Sequence, residues 1–427
     1  MNRKIWQAYC SEMWAKIRSA AIWIFFGILC GLAVGAAGAA LAKGVVFVTD
    51  LRFAHPWLIF CLPVGGIAIV WLYQRGGEKA LGGTNRILEN IRNLDRVPAR
   101  IAPLIFVSTV ITHLFGGSAG REGAALQMGG SLGNTLGRIL HFNKKDRRRA
   151  IICGMSAAFS ALFGTPLAAV MLPMEMSTVG IVYYSALVPC VFSSLTAYYV
   201  RTQFGIGSAQ MFITNIPALT IHSILITCVF AILCALVSVL FCSCLGRAEH
   251  ILAQRIPNNY LKTVLTGAVI IVLTFLVGDQ TYNGTGTNII ASCLTDSSFR
   301  VVWYAFLLKI LFTVITLSGE YKGGEIVPSL FIGAVFGNAF AWITGYGGID
   351  QALFSAIGMG CLFCGVTNCP IASLLICFEM FGFDGMPYYL IAIALTYVFS
   401  GNFGVYKGQK ILYSKFAPEE INAYTHD

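Results

Sequence analysis

Apolar segments recur along almost the whole chain and are separated by short polar stretches. Several approach the roughly 20 residues that an α-helix needs to cross a bilayer, whereas others are shorter and interrupted by Gly, Pro or Asn. Unpaired strands would leave backbone groups unsatisfied in lipid. The pattern therefore predicts an all-α, polytopic membrane protein with many tilted or half-spanning helices. The apolar segments include 21–48, 57–73, 102–115, 150–174, 181–200, 221–245, 264–278, 302–317, 328–343, 352–378 and 386–400.

The composition agrees with this pattern. Of the 427 residues, 57% are hydrophobic and only 11% are charged, with a mean hydropathy of +0.74, whereas a soluble protein carries about 25% charged residues. The N-terminal segment is too polar and too aromatic for a cleavable signal peptide. We interpret residues 1–19 as a basic amphipathic helix on the cytoplasmic surface, with its tryptophans at headgroup depth. The expected location is the inner (plasma) membrane.

The net charge of +10 has two interpretations, an anionic partner or membrane topology. Much of the positive charge lies in one short loop between two apolar segments, residues 138–149. Because loops rich in Lys and Arg stay on the cytoplasmic side, this loop is predicted to be cytoplasmic, together with both termini and the late lysines Lys407, Lys410 and Lys415. Topology thus explains the charge, and we expect no nucleic-acid partner.

Enzymatic and metal-binding motifs are missing from the sequence. The 14 cysteines are scattered singly, and the C-x-x-C pair Cys361 and Cys364 has no second pair or histidine nearby, so it indicates small-residue packing. Neither an H-E-x-x-H motif nor a nucleophile elbow is present. His113 lies nine residues before Glu122 and is predicted to pack in the core. We expect no cofactor, no metal and no enzymatic activity.

An internal repeat divides the chain. At an offset of 204, "TVITHLFGGSAGREG" (109–123) aligns with "TVITLSGEYKGGEIV" (313–327), and the match continues to Glu175-Met176 against Glu379-Met380. At an offset of 203, residues 83–85 align with residues 286–288. We therefore predict two fused transmembrane repeats, 20–205 and 206–402, followed by a C-terminal helix with a short cytoplasmic tail, 403–427. Fused repeats are typical of transporters that bind their substrate near the middle of the membrane.

Glycine-rich stretches mark where half-helices begin: "GGTN" (82–85), "GREG" (120–123) and "GGEIV" (323–327). A helix that starts inside the membrane exposes backbone amides and the positive end of its dipole, which attract anions. Glycine lets the backbone approach a ligand closely. If these starts converge, the site they form favours a small anion.

Glu122 is a carboxylate in one of these starts. A charged group at mid-membrane is costly unless it pairs or accepts hydrogen bonds. Burial favours its protonated form and hydrogen-bond donors favour its ionised form, so it can leave an anion site when protonated and return when ionised. This behaviour would exchange an anion for a proton. The alternative is a helix-capping carboxylate paired with Arg121.

The segments "GREGAALQMGGSLGN", "GGEIVPSLFIGAVFGN" and "TPLAAVMLPMEM" resemble signature segments of the CLC family of anion channels and anion/proton antiporters. The similarity extends along essentially the whole chain. It implies two inverted helical repeats, an hourglass anion pathway in each subunit, and a homodimer. Fluoride or chloride and the proton are the implied transported ions.

The resemblance implies roles for individual residues. Glu122 matches the gating glutamate of the family, Tyr413 in "ILYS" matches an inner-gate tyrosine, and Lys309 matches a basic position that we interpret as structural. Glu325 is added as a second proton-handling carboxylate. The alternative for Glu325 is a structural role or a salt bridge to Lys322 or Lys309. The implied anion-binding residues are Gly83, Thr84, Asn85, Gly120, Arg121, Gly123, Gly324, Ile326, Val327 and Tyr413.

Three departures from the usual family pattern bear on the anion. The loop "GGTNR" lacks the usual serine and proline, Met176 stands where chloride exchangers carry an internal glutamate, and Glu325 replaces an aliphatic residue. Together they resemble the fluoride-exporting branch of the family. Fluoride/proton antiport is therefore the first hypothesis. Chloride or nitrate/proton exchange and a passive anion channel remain alternatives, because the loop matches no diagnostic pattern.

Overall fold

The computed structural model describes residues 3–76, 83–93, 97–207, 210–213, 216–346 and 351–425. These residues form sixteen α-helices and two short 3₁₀ helices, Pro56–Cys61 and Tyr184–Ala186. The α-helices are α1 (Arg3–Ala54), α2 (Leu62–Arg75), α3 (Gly83–Asn93), α4 (Ile101–Leu114), α5 (Glu122–Ile139), α6 (Lys144–Phe163), α7 (Pro166–Glu175), α8 (Leu187–Gln203), α9 (Ile221–Arg255), α10 (Asn259–Val277), α11 (Thr287–Thr295), α12 (Ala305–Ser318), α13 (Ile326–Ile343), α14 (Gln351–Thr367), α15 (Pro370–Phe381) and α16 (Met386–Phe399).

The predicted mixture of spanning and half-spanning helices is confirmed. Within the described ranges, five helices are long and apolar enough to cross a membrane. Six more are apolar but only 10–17 residues long, which is short for a full crossing. The five longer helices cover Tyr9–Ala54, Pro56–Arg75, Ile221–Arg255, Asn259–Val277 and Ile326–Ile343.

Both predicted terminal elements are wrong. Residues 1–19 do not form a separate surface helix, because α1 runs unbroken from Arg3 to Ala54; the first glycine after its start is Gly27, and no proline precedes it. The described part of 403–427 forms no helix but two strands, β2 (Lys410–Tyr413) and β3 (Glu420–Tyr424). They form a sheet with β1 (Thr178–Val179) in the order β1-β2-β3, parallel and then antiparallel.

The basic loop, the first half of α1 and the C-terminal segment meet on one face of the molecule. The Arg149 guanidinium lies 5.4 Å from the ring of Trp23, in the first half of α1. Arg148 donates to the carbonyl of Arg92 at 3.0 Å, and Arg92 in turn donates to the carbonyls of Ser177 and Gly408. The shared face agrees with the predicted topology. Its assignment to the cytoplasm remains a prediction.

The two repeats point in opposite directions. Helix α9, about 50 Å long, joins the two faces: Glu249 near its C-terminus pairs with Lys407 on the face of the basic loop, and His222 at its N-terminus contacts Tyr346. Tyr346 follows α13, so α13 ends on the face opposite the loop. Helix α5 ends at Ile139, beside the loop. The matched helices α5 and α13 are therefore antiparallel, as inverted repeats require.

Reciprocal contacts join the repeats about a pseudo-two-fold axis. Gly120 and Gly324 form an isolated antiparallel bridge in which each amide donates to the other carbonyl at 2.7 Å. The Glu175 carboxylate accepts from two amides at the start of α15 at 3.0 and 3.2 Å. Glu379 accepts from the start of α7 at 2.8 and 2.9 Å. Such mutual contacts are the mark of a two-fold arrangement.

Glycines let neighbouring helices pack closely enough to fix the starts of α5 and α13. A methyl group at Gly129 on α5 would lie 2.4 Å from the carbonyl oxygen of Gly154 on α6. The matched pair in the second repeat, Gly333 and Gly358, is equally close at 2.3 Å. Close approach through small residues is the usual way membrane helices associate. Any larger residue would push the helix starts away from the centre.

Candidate functional site

Two cavities approach the Gly120–Gly324 bridge from opposite faces. The outer cavity, on the face opposite the basic loop, has a volume of about 830 Å³. The inner cavity, on the face of the loop, has a volume of about 460 Å³. The outer cavity includes Arg52, Arg121, Gly286, Thr287 and Asn288, and the inner cavity includes Gly83, Thr84, Asn85, Glu325 and Tyr406. The bridge region is thus the narrow part of an hourglass.

Glu122 lies at this narrow part. It begins α5, and its side chain is 1% exposed. Its Oε2 accepts hydrogen bonds from the amides of Arg121, at 2.9 Å, and Val327, at 3.3 Å. Its Oε1 lies 4.0 Å from Nε of Arg121. Because Arg121 and Val327 belong to different repeats, the carboxylate lies in an amide cradle built by both halves.

The glycines of the cradle leave space for that carboxylate. A methyl group on Gly120 would lie 2.2 Å from Oε2 of Glu122, and one on Gly324 would lie 3.3 Å from the same oxygen. Real carbon–oxygen contacts are not as short as the first of these, so position 120 excludes any side chain while Glu122 is in place. An anion in the place of the carboxylate would meet the same bare backbone.

Glu325 is the second carboxylate of the site, and it is half-buried. It precedes α13 as its N-cap residue and lines the inner cavity. Its Oε2 has no hydrogen-bond partner among the described residues. A methyl group on Gly123, the residue after Glu122, would lie 3.2 Å from that oxygen. Glu325 therefore lies close to the residue that follows Glu122, on the side of the inner cavity.

The salt bridges considered for Glu325 do not form. Lys322 pairs with Glu320 at 3.1 Å. Lys309 donates to the carbonyls of Tyr282, at 3.1 Å, and Gly284, at 2.7 Å. The structural interpretation of Lys309 is supported, because its buried ammonium ties down a loop.

The Gly83–Asn85 segment starts α3, where the glycine-rich stretch predicted a helix start, and it lines the inner cavity. The hydroxyl of Thr84 accepts from Nε2 of Gln127 at 3.3 Å and lies 3.5 Å from the carbonyl of Gly123. The side-chain oxygen of Asn85 accepts from the amide of Gly408 at 3.0 Å. Gln127 was not identified from the sequence. Its position on α5, five residues after Glu122, places it next to the same loop.

The prediction for Tyr413 is wrong. Tyr413 lies in β2, its side chain is 47% exposed, and its ring packs beside Gly180. Tyr406 does line the inner cavity, together with Tyr73 and Tyr321. It is 1% exposed, and its hydroxyl has no partner in the described chain. The strand pairing of β2 with β1 and β3 turns Tyr413 to the surface. The feature of the sequence that could have identified Tyr406 is its position two residues after "GNFG" (401–404).

Other candidate groups have structural partners. Both ring nitrogens of His113 lie near carbonyl oxygens, that of Thr109 at 2.8 Å and that of Ala119 at 3.1 Å, so the ring supports the chain just before Gly120. Met176 is buried, and its carbonyl accepts from Gln409 at 2.9 Å. Ile326 begins α13 and is buried, but the amide that reaches Glu122 is that of Val327.

Inverted helical repeats, a carboxylate in an amide cradle and a cavity on each side of it define a membrane-embedded anion channel or transporter. A family model described as "Voltage gated chloride channel" matches residues 64–401. The chain belongs to this family, the CLC family, as the sequence resemblance predicted.

Individual relatives refine this result. A chloride/fluoride channel protein of Pseudomonas syringae pv. tomato is 32% identical over 406 residues, which cover 93% of this chain and 89% of the relative. An H(+)/Cl(-) exchange transporter of Yersinia pestis is 24% identical over 291 residues, covering 66% and 61%. The crystal structure of a CLC-type fluoride/proton antiporter superposes with a TM-score of 0.88 at 30% identity, covering 92% of this chain and 98% of that one. A slow cyanobacterial Cl-/H+ antiporter has a TM-score of 0.75 at 21% identity, covering 88% and 94%, and shows the fold alone.

Proposed function

We propose that this chain is an antiporter that exports fluoride in exchange for protons. The observation that carries the proposal is the Glu122 carboxylate in the amide cradle between the two cavities. An external anion and the carboxylate compete for the same donors. Protonation removes the negative charge of Glu122 and weakens its hold on the amides, and the anion then takes its place. Binding of the anion and of the proton are thereby linked.

Glu325 supplies a proton route on the inner side. Its Oε2 is buried, unpartnered and next to the inner cavity. A carboxylate with one free oxygen at the edge of a cavity can take up a proton from that cavity and hold it while the anion passes. Met176 occupies the position at which chloride exchangers of the family carry their internal glutamate. Anion and proton would therefore share one pathway, which suits one-for-one exchange.

Fluoride is the anion that best fits this chemistry. It is small and strongly hydrated, so a site for it must replace water with strong hydrogen-bond donors. The described donors are the amides of Arg121 and Val327, with the Thr84 hydroxyl and the Tyr406 hydroxyl facing the inner cavity. The chloride/fluoride relative and the fluoride/proton antiporter structure support the same choice. Chloride/proton exchange is the alternative, supported by the more distant Yersinia relative.

The assembly and location follow the family resemblance. We propose a homodimer in which each subunit carries its own pathway, and a position in the plasma membrane with the inner cavity toward the cytoplasm. In that orientation an inward proton gradient drives fluoride out of the cell. Fluoride enters cells as neutral HF and is trapped inside as the ion, so a cell benefits from a protein that exports it.

Anion choice is tested by flux from liposomes that contain the purified protein. We expect fluoride to leave faster than chloride when each is loaded at the same concentration, with opposite proton movement recorded at the same time. An ion-selective electrode and a pH electrode in one chamber give both rates, and protein-free liposomes give the background. Chloride efflux as fast as or faster than fluoride efflux would identify a general chloride exchanger instead.

A further inference from the structure

The outer cavity contains a second helix start that the proposed function does not use. Residues 286–288 repeat the Gly-Thr-Asn of residues 83–85. Where the first copy starts α3 at the inner cavity, the second starts α11 at the outer cavity. Gly286 has φ 71°, and no side chain caps the nine-residue helix that follows. The first amides of α11 and the positive end of its dipole therefore face the cavity, and no side-chain oxygen accepts from these amides.

A buried arginine without an acidic partner lines the same cavity. Arg52 is 1% exposed. Of its five N–H donors, the described contacts engage one, from Nη1 to the carbonyl of His113 at 3.3 Å. Its Nε has no partner, and no described carboxylate lies within 4.0 Å of the guanidinium. The carboxylates that line the cavity, Asp50 and Asp279, are exposed.

One loop brings the arginine to the helix start. A methyl group on Gly284 would lie 3.1 Å from Nη2 of Arg52, and Gly284 is two residues before Gly286. The amide of Gly284 donates to the carbonyl of Gly117 at 3.1 Å, and Lys309 donates to the carbonyl of Gly284 at 2.7 Å. Two buried cations and a helix N-terminus thus converge on one loop of the outer cavity. A buried cation needs a counter-charge, and the described protein does not supply one here.

We propose that this loop is a second anion site, which holds a small monovalent anion of the halide class between Arg52 and the first amides of α11. This second site rests on the proposed transport of anions and adds an outer binding step to it. Arg121 lines the same cavity and has its Nε 4.0 Å from Oε1 of Glu122, so an anion displaced from the cradle passes this arginine on its way to Arg52. The outer site receives the exported anion and releases it to the medium.

The outer site is tested by measuring fluoride uptake separately from each side of the membrane. Right-side-out and inside-out membrane vesicles each expose one cavity, and initial fluoride uptake gives the half-saturating concentration for that cavity. Arg52→Gln removes the cation. Thr287→Glu places a carboxylate at the first residue of α11, where negative charge stabilises the helix, so this variant keeps its fold while filling the site. Arg75→Gln and Thr295→Glu make the same charge changes on exposed residues outside the cavity.

We expect Arg52→Gln and Thr287→Glu each to raise the half-saturating concentration about tenfold, the loss expected for one charge-assisted hydrogen bond. The change should occur in one vesicle type only, with the saturating rate retained. The two control variants should match the wild type. An unchanged half-saturating concentration in a transporting Thr287→Glu protein would overturn the inference. Wild-type vesicles that move no fluoride would instead overturn the proposed function.

Crystals soaked in sodium bromide test the site independently of flux. We expect an anomalous peak beside Arg52 in the wild-type protein that disappears in Thr287→Glu and is displaced by added fluoride or chloride. Which of the two displaces bromide at the lower concentration distinguishes the physiological anion. No peak at this loop would contradict the proposal. A peak that coexists with unchanged kinetics in both variants would mean an adventitious ion only, and would also overturn it.

Discussion

Glu122→Gln is expected to stop proton movement while anion flux continues. Glutamine has almost the same shape as glutamate, and its carbonyl oxygen can accept from the amides of Arg121 and Val327 as Oε2 does. It does not titrate, however, and it carries no charge to compete with an anion for the cradle. The cradle is then open to the anion at all times, and its occupancy no longer depends on a proton.

The size of the effect follows from the loss of the only titratable group that contacts the cradle amides within the described chain. We expect the proton flux per anion to fall by at least about tenfold, because glutamine cannot take up or release the proton that exchanges with the anion. Proteoliposomes with simultaneous anion and pH electrodes give the ratio. Glu89→Gln, on an exposed carboxylate of α3, is the matched control. A native ratio in Glu122→Gln would show that another group exchanges with the anion.

Glu325→Gln is expected to damage proton coupling much more than Glu175→Gln. Glu175 is buried and Glu325 is half-buried, and their surroundings differ. Glu325 lines the inner cavity with an unpartnered Oε2. Glu175 is fully engaged with the first amides of α15 and lines neither cavity. Loss of titration at Glu325 therefore blocks a proton route, whereas loss of charge at Glu175 weakens a helix cap.

The two variants separate a transport effect from a stability effect. Glu175→Gln should cost about 1.5–3 kcal/mol of stability, the range for hydrogen bonds to a charged group, and should lower the melting temperature while keeping the native number of protons per anion. Glu325→Gln should keep the melting temperature near that of the wild type and lose most of its proton flux, about tenfold. If coupling falls equally in both, or only in Glu175→Gln, Glu325 is not the inner proton carrier.

The repeat and the central site could be predicted because they rest on local patterns. The offset alignment paired Gly120 with Gly324 and Glu175 with Glu379. In the structure the two glycines bridge each other, and each glutamate caps a helix start of the opposite repeat. The function of the Glu175 and Glu379 pair was not predicted. A cap supplied by the opposite repeat depends on three-dimensional packing, which a one-dimensional alignment does not contain.

The C-terminal region was predicted incorrectly for a related reason. Tyr413 was chosen from the short motif "ILYS", but β2 forms by pairing with β1, more than two hundred residues earlier in the chain. Strand formation depends on such distant partners more than on intrinsic preference. Tyr406 precedes that strand and so stays inside. Helix α1, by contrast, continues past residue 19 for a local reason, because no proline and no glycine occur before Gly27.

The central claim is that fluoride and protons move in opposite directions through one pathway. Its most direct test uses liposomes with equal fluoride on both sides, a membrane potential clamped with potassium and valinomycin, and an external medium made acidic. Inward proton flow through the antiporter should drive fluoride outward, so that external fluoride rises above its starting value. Leakage of neutral HF moves fluoride in the opposite direction, inward, and protein-free liposomes show that leak alone. External fluoride that stays level or falls as in those liposomes would contradict the account.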